Sequence, residues 1–446
     1  MSANNYQYKK QRLIEQMRSH KGNGIRLQKT TSNLFRDRSR TNQHKLDVSD
    51  FNQVLNINGN EGWAEIEGMA TYEDIVDATL PHGVMPAVVP ELKSITLGGA
   101  VTGIGIESSS FKCGFVHETI TEMDVLLADG RVIVCSPTSE HKDLFFAFPN
   151  SYGTLGYALK LKFKVIPVKD FVQLTHVRYT DADTYFRDME NVCARDIDFL
   201  DGTVFGPDEM YMTIGRFVDE APYTSDYTYE NIYYQSIRRR ETDYLTVLDY
   251  LWRWDTDWFW CSKHFLVQHT LVRALVGKSR LNSVTYARIM RWNSKWKLAH
   301  RINRLRGIHT ESVIQDVDVA IENAPAFLQF FNKEIGITPI WICPIQTYDR
   351  SVQFDLYPMD SQHVYVNFGF WDVKKGRKKL PKGYYNREIE RKIIELGGIK
   401  SLYSDSYFTQ DEFWQAYNRP VYDRLKAKYD PQARLKDIYQ KCVLKQ

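Results

Sequence analysis

The sequence predicts an α+β protein of at least two domains, and three observations carry that reading. The chain has 446 residues, more than one hydrophobic core serves at about 150 residues per domain. Hydrophobic residues make up 43% of it and charged residues 25%, the proportions of a globular protein and not of a disordered or polytopic membrane chain. Between Val48 and Pro167 short runs of period two alternate with a capped helix, whereas from Lys169 the composition shifts toward Tyr, Trp and Arg. These changes divide the chain into segments 1–168, 169–398 and 399–446.

Taken in order, Lys9–Ser19 reads as a helix that Gly22 and Gly24 end. The stretch Lys9–Lys45 holds eleven Lys and Arg against two acids, which is either a solvated helix and loop or the neighbourhood of something anionic. Thr71-Tyr-Glu-Asp74 is a capping box, in which hydroxyl and carboxylate each satisfy an orphan amide, and it opens a helix that Gly83 can close. Met123–Ala128 and Arg131–Ser136 flank Asp129-Gly130, a dipeptide that tolerates the positive φ of a two-residue hairpin turn. Leu159, Leu161, Phe163 and Val165 alternate with Lys160, Lys162 and Lys164, so one face of that strand is buried and the other wet until Pro167 stops it. In the middle segment six of ten tryptophans fall within Trp252–Trp296. Asn386–Gly397 reads as a helix with Ile389, Ile393 and Leu396 on one side and glycine past its end. The last segment is expected to begin with a strand from Ser401, followed by a second capping box, Thr409-Gln-Asp-Glu412.

Several function classes are excluded. A formal charge of +3 argues against nucleic acid as the main partner. The six cysteines stand at 113, 135, 193, 261, 343 and 442, with no C-x-x-C pair for zinc or an iron–sulfur cluster. The N-terminus lacks the apolar core of a signal peptide, which fits a reducing cytoplasm. The longest apolar uncharged stretches, 94–106 and 335–348, fall short of the roughly 20 residues of a spanning helix, so any membrane contact is expected to be peripheral.

The stretch Pro90–Gly114 is the most informative. Its five glycines (98, 99, 103, 105 and 114), with Thr96 and Ser108–Ser110 among them, remove side-chain bulk and offer amides and hydroxyls, as close approach to a pyrophosphate requires. It lacks the third glycine of a G-x-G-x-x-G fingerprint and the G-K-[ST] of a P-loop. A glycine-rich structural turn is the plainer alternative.

Pro90-Glu-Leu with Thr-Leu-Gly-Gly, then Gly-Ile-Glu-Ser-Ser-Ser-x-Lys-x-Gly, Leu-Ala-Asp-Gly130 and Gly153-Thr-Leu-Gly156, resembles the FAD-binding domain of the vanillyl-alcohol-oxidase (PCMH) type. Pro339-Ile-Trp-Ile-Cys-Pro344, Leu402-Tyr-Ser-Asp-Ser-Tyr407, Glu412-Phe-Trp414 and Tyr422-x-x-Leu425 extend the likeness to the Δ24-sterol reductases over most of the chain. The resemblance implies a two-lobed FAD-binding domain over 1–168, completed by the returning segment 399–446, with 169–398 as an α+β substrate cap. It implies noncovalent FAD recharged by NAD(P)H. On matching positions it places Pro90, Glu91, Thr96, Gly98, Gly99, Gly103, Gly105, Ser108 and Gly114 around the pyrophosphate and flavin, and Gly153 and Gly156 toward the nucleotide. The usual Gly-Arg-rich pyrophosphate loop is replaced by Lys29–Arg38, whose Thr30, Thr31, Ser32, Arg36 and Arg38 are candidate phosphate donors. The N-terminal membrane span of the animal enzymes is absent from the sequence.

Reducing an isolated C=C bond needs hydride at one carbon and a proton at the other. The expected donor is Asp405 or Glu107. In a strand Tyr403, Asp405 and Tyr407 would share one face, and a carboxyl among rings favours its neutral form. A strand-end carboxylate in water and a structural acceptor in the glycine loop are the plainer roles of these two acids. Tyr244–Phe265 holds eight rings for an apolar channel or for ordinary core. Arg288–Arg306 carries seven basic residues and no acid, with Ile289, Trp292, Trp296 and Ala299 at helical spacing, as in a helix lying on anionic lipid; a solvated basic face or a subunit contact is the alternative. The resulting expectation is an FAD-dependent oxidoreductase that reduces a C=C bond in an apolar lipid, a sterol side chain or a branched or methylene-bearing acyl chain. An oxidase or dehydrogenase of a lipid-linked alcohol and a flavin-free lipid-binding or scaffold protein are the competing readings.

Overall fold

The structure, a computed structural model, describes every residue except 1, 21, 23, 30, 33–34, 37–43 and 297–306, and describes the backbone alone at 2–3 and 290–296. Among the described residues the strands form two large antiparallel sheets and one small parallel pair, Ile25–Gln28 with His44–Asp47.

The first sheet runs Val54–Asn58, Trp63–Glu67, Tyr157–Pro167, Ile120–Leu126, Val132–Cys135, with Val84–Pro86 also paired on Tyr157–Pro167. Its central strand buries Leu159, Leu161, Phe163 and Val165 while the intervening lysines stay part-exposed, the period-two division read from the sequence. The hairpin turn is one residue longer than the dipeptide implied. Gly130 N–H closes on the Leu127 carbonyl and Leu127 N–H on that of Arg131, with Gly130 at φ 84°; this is the three-residue loop in which glycine takes the left-handed position. The Thr71/Asp74 box caps Tyr72–Thr79, and Gly83 ends the following turn in the left-handed region.

The second sheet is ordered Thr242–Thr246, Phe171–Tyr179, Glu209–Val218, Phe199–Gly206, Ile340–Ile345, Tyr365–Gly376, His309–Ala320, Ile399–Lys400. Period two sorts its residues onto two faces. Val313, Val317, Val319, Ile340, Ile342, Val366, Phe368 and Phe370 pack with the helices Ala182–Cys193, Ala324–Phe330 and Tyr384–Glu395, and each such buried aliphatic or aromatic contributes about 1.5–3 kcal/mol. Asp316, Asp318, Trp341, Cys343, Asn367, Gly369 and Trp371 alternate with them and take the opposite face. The functional side chains of this half are therefore on the face that the helices leave uncovered.

Residues after Lys400 depart from the expected strand. Among the described residues only Ser404 makes a bridge, to Phe35, because this stretch's backbone groups are taken by side chains: Lys400 Nζ donates to the Asp405 carbonyl at 2.6 Å, and Tyr407 N–H donates to the Glu390 carboxylate at 3.1 Å. The chain is extended enough that Leu402, Ser404, Ser406 and Phe408 are buried and Tyr403, Asp405 and Tyr407 less so. The closing helices Gln410–Ala416, Arg419–Tyr429 and Ile438–Cys442 meet the first sheet's surroundings: Tyr429 OH donates to Asp143 at 2.7 Å, and Arg434 donates to the Met17 carbonyl at 2.9 Å.

Candidate functional site

A cavity of about 540 Å³, within the range of small-molecule sites, opens among the glycine turn, the N- and C-terminal segments and the uncovered face of the second sheet. Its first wall is the turn itself. Thr96 caps the short helix Leu97–Gly103, its hydroxyl accepting from Gly99 N–H at 3.3 Å, while Leu97 and Gly98 amides donate to the carbonyls of Ala70 and Gly68. These three amides are spent within the protein. The glycines serve close approach instead: a Cβ on Gly98 would stand 2.8 Å from the Gly68 carbonyl oxygen, and one on Gly105 2.7 Å from Val116, both closer than packed atoms tolerate. Pro90, Glu91, Thr96, Gly98, Gly99, Gly103 and Gly105 line this wall, and Gly153 and Gly156 line it farther along the chain.

The terminal segments bring cations. Arg26, Lys29, Lys45, Lys441 and Lys445 line the cavity, with Thr31 and Ser32 beside them. Arg36 is buried, with its guanidinium 4.9 Å from the Tyr152 ring centroid and its Nη1 donating to the Leu402 carbonyl at 2.6 Å. Thr30 and Arg38 lie outside the described residues.

The third wall is aromatic. Trp258, Phe259, Trp341, Trp371, Phe35 and Tyr403 line it, and Phe259 stacks on Trp371 at 4.2 Å between centroids. Trp258 and Phe259 sit at φ 44° and 59°, a region that costs bulky residues about 1–3 kcal/mol each and persists only when the surroundings impose it. Of the eight rings in Tyr244–Phe265, Trp258 and Phe259 line the cavity, whereas Trp254 and Trp260 are core. Ordinary packing thus accounts for most of that run.

Between these rings stands an acid that sequence reasoning passed over. Asp316 lines the cavity, hydrogen-bonded to Tyr403, whose hydroxyl accepts from Trp371 Nε1 at 2.8 Å. Its Oδ1 is buried without a partner among the described residues. Burial pushes this carboxyl up to about 8; the Tyr403 hydrogen bond opposes the rise and the Asp318 charge adds to it. Asp318, next on the same face, is pushed by burial to about 6 while Asn367 Nδ2 donates to it at 2.7 Å. Gly369, directly across the ladder from Asp316, makes the room: a Cβ there would lie 2.7 Å from Asp316 Oδ1 and 2.6 Å from the Trp371 ring. The usable signal was the alternation in Val313–Val319 that puts two acids on one face of a buried strand.

The other predicted acids lie elsewhere. Asp405 is absent from the cavity wall and its Oδ1 is 2.6 Å from Lys445 Nζ. Tyr407 lies over Gly383, where a Cβ would meet its ring at 2.3 Å, away from the wall. Gly114, at φ 71°, makes room for the Glu118 carboxylate. Glu107 is fully enclosed beneath the turn. Arg253 Nη2 is 2.9 Å from Glu107 Oε1, 2.9 Å from Asp201 Oδ2 and 3.2 Å from Glu91 Oε1, while Tyr250 covers the guanidinium at 4.1 Å. Ser108, buried beside it, donates to Glu107 at 2.7 Å. One cation faces three carboxylates, and burial, then repulsion by Glu107, pushes Glu91 well up; burial likewise raises Asp201.

Glu91 and Asp316, the two acids on the cavity wall, are thus both pushed toward the neutral form, so the charge there is carried by the cations. A wall with cations and hydroxyls at one part, close backbone at another and stacked rings at a third fits a flavin dinucleotide: charge-assisted donors for its pyrophosphate and aromatic faces for a planar ring. Comparison with known proteins agrees. Residues 11–136 match the FAD binding domain. The chain is 25% identical over 419 residues to the Delta(24)-sterol reductase of Homo sapiens, covering 89% of this chain and 77% of that one. It is 24% identical over 452 residues to the Delta(24)-sterol reductase of Arabidopsis thaliana, covering 91% and 77%. It is 26% identical over 437 residues to a Delta(24)-sterol reductase homolog of Caenorhabditis elegans, covering 90% and 79%.

Proposed function

We propose that this chain, an FAD-dependent oxidoreductase of the Δ24-sterol reductase-like branch, reduces an isolated carbon–carbon double bond in an apolar lipid, either a sterol side chain or a branched or methylene-bearing acyl chain, with NAD(P)H as electron donor. The observation that carries this reading is one cavity that joins a cationic, glycine-lined region to a stacked aromatic wall holding a neutral acid. FAD, when bound, supplies the hydride chemistry. Thr31, Ser32, Arg36, Lys441 and Lys445 hold its phosphates, with Gly98, Gly99, Gly103, Gly105, Gly153 and Gly156 leaving space for the nucleotide. Residues 1–168 with 399–446 form the flavin half and 169–398 the cap. Trp258, Phe259, Trp341 and Trp371 exclude water and orient the lipid; ring faces also favour positive charge developing on a carbon, by about 0.5–2 kcal/mol per ring.

The lipid is taken from the surface of an anionic membrane in the cytoplasm. Among the described residues no helix is long and apolar enough to cross a bilayer. In Thr270–Val276, however, Leu271 and Leu275 are 70% and 84% exposed and, four residues apart, share a face. Exposed Lys278, Arg280 and Arg288 and 40%-exposed Ile289 follow, the mix of apolar and basic groups that suits a bilayer surface. Of the basic run 288–306, residues 288–296 belong to the helix Ser283–Trp296 and 297–306 lie outside the described residues.

The test is anaerobic. The purified protein reduced with NADPH is mixed with sterol or methylene-lipid alkenes, or with oxygen, and the flavin absorbance is followed. Reoxidation by an alkene is expected; reoxidation by oxygen alone would sink the reading in favour of an oxidase.

A further inference from the structure

We infer that Asp316 is the proton donor of the reduction, its carboxyl held toward the cavity by Tyr403 and Trp371 in the space that Gly369 leaves open. The inference rests on the proposed double-bond reduction and deepens it. An isolated alkene has no carbonyl to absorb charge, so the π pair must form its new C–H bond with a proton from a nearby acid as hydride reaches the other carbon. In that step the Asp316 O–H bond breaks, its electron pair stays on the carboxylate, and the alkene carbon gains the proton. Water then returns a proton to the carboxylate. Hydride and proton together add two hydrogens, so atoms and charge balance.

Four features select Asp316 over the other acids. It is the one of the two wall acids that faces the aromatic wall and is not engaged by a cation among the described residues; Glu91, the other, stands 3.2 Å from Arg253. One of its oxygens is enclosed without a partner among the described residues, so the acid retains a proton-bearing site that none of these protein groups uses. Its other contact, through Tyr403 to Trp371 Nε1, fixes the carboxyl's orientation on the cavity side. Finally, the described groups that face it, Tyr403 from the C-terminal segment and Asp318 from its own strand, include no cation that would hold it ionised at neutral pH. Asp405 and Glu107, by contrast, are 2.6 Å from Lys445 and 2.9 Å from Arg253.

The test compares wild type with Asp316→Asn, which keeps the size of the group, and Asp316→Glu, which keeps the acid. Infrared difference spectra near neutral pH should show a protonated-carboxyl band in the wild type that is missing from D316N and fades on raising the pH through about 8. In stopped-flow mixing, D316N should take up flavin and be reduced by NADPH normally, yet be reoxidised by the alkene ~10²–10⁴-fold more slowly, the range for losing a general acid; D316E should be faster than D316N. Alkene reoxidation of D316N at the wild-type rate would overturn the assignment, as would the lack of the carboxyl band or a D316E no faster than D316N. If wild type itself fails to react with any alkene while the band is present and titrates, the proposed reduction falls and the donor role with it; if wild type reacts and the band is missing, the donor assignment alone falls.

Discussion

Replacing Asp316 by Asn should flatten part of the protein's dependence of stability on pH. The folded carboxyl is raised from 3.8 to about 8, chiefly by burial. Between those values the folded state binds a proton that the unfolded state has released, so the stabilising contribution is complete below about pH 4 and is lost progressively as pH rises, being gone above about pH 8. Each pH unit of that interval is worth about 1.4 kcal/mol, and an interval of about four pH units gives a loss on the order of 5 kcal/mol from one end to the other. Asn has no proton to lose, so D316N should gain about 4 kcal/mol of stability over wild type between about pH 5 and about pH 8, about three units of that window. Other buried groups, such as Glu118, pushed by burial to about 7, titrate in both proteins and cancel in the difference. Urea unfolding of the two proteins at these pH values, followed by tryptophan fluorescence, measures the gap. A gap that stays constant with pH would refute the claim that Asp316 is neutral in the folded protein.

The remaining expectations concern the surroundings of the site. Arg253→Met removes the cation that three enclosed carboxylates share and should cost about 3–5 kcal/mol; a loss under about 1 kcal/mol in denaturant titration would show the cluster to be incidental. Gly369→Ala places a methyl against Asp316 and Trp371 and should cost about 1–3 kcal/mol, slowing alkene reoxidation while leaving flavin reduction by NADPH intact; equal slowing of both half-reactions would contradict this. Leu271→Ser with Leu275→Ser should weaken sedimentation with anionic vesicles without changing the flavin spectrum, and unchanged binding would remove that helix from the membrane surface.

Local features were legible where the residues that decide them are neighbours in sequence. The two capping boxes, the lysine-alternating strand and the helix ending at Gly397 each depend on contacts within a turn or two, and each is present. The glycine run pointed to a place of close approach, although the amides of Leu97, Gly98 and Gly99 bind the protein's own carbonyls and the Thr96 hydroxyl. The strand expected at 402–407 failed because Lys400 and Glu390 take its backbone groups, a substitution that no local pattern announces. Asp316 was passed over for a related reason. Its neutral state comes from burial, and its placement from Tyr403, 87 positions on, and a missing side chain at Gly369, 53 positions on, so the sequence showed an acid in a strand and nothing of its surroundings. Asp405 looked better placed because its aromatic neighbours are adjacent in the chain.

The guanidinium shared by Glu91, Glu107 and Asp201 also bears on how a long oily molecule could get in. Two of those acids come from the glycine turn and the third from the second sheet, with Arg253 between them from the loop after Leu251. Parting the glycine turn from the second sheet would break the two pairs that Arg253 makes with Glu91 and Glu107 while leaving the pair with Asp201. Arg253 thus fastens the glycine turn to the second sheet, and a passage between surface segments at the rim would leave that fastening whole.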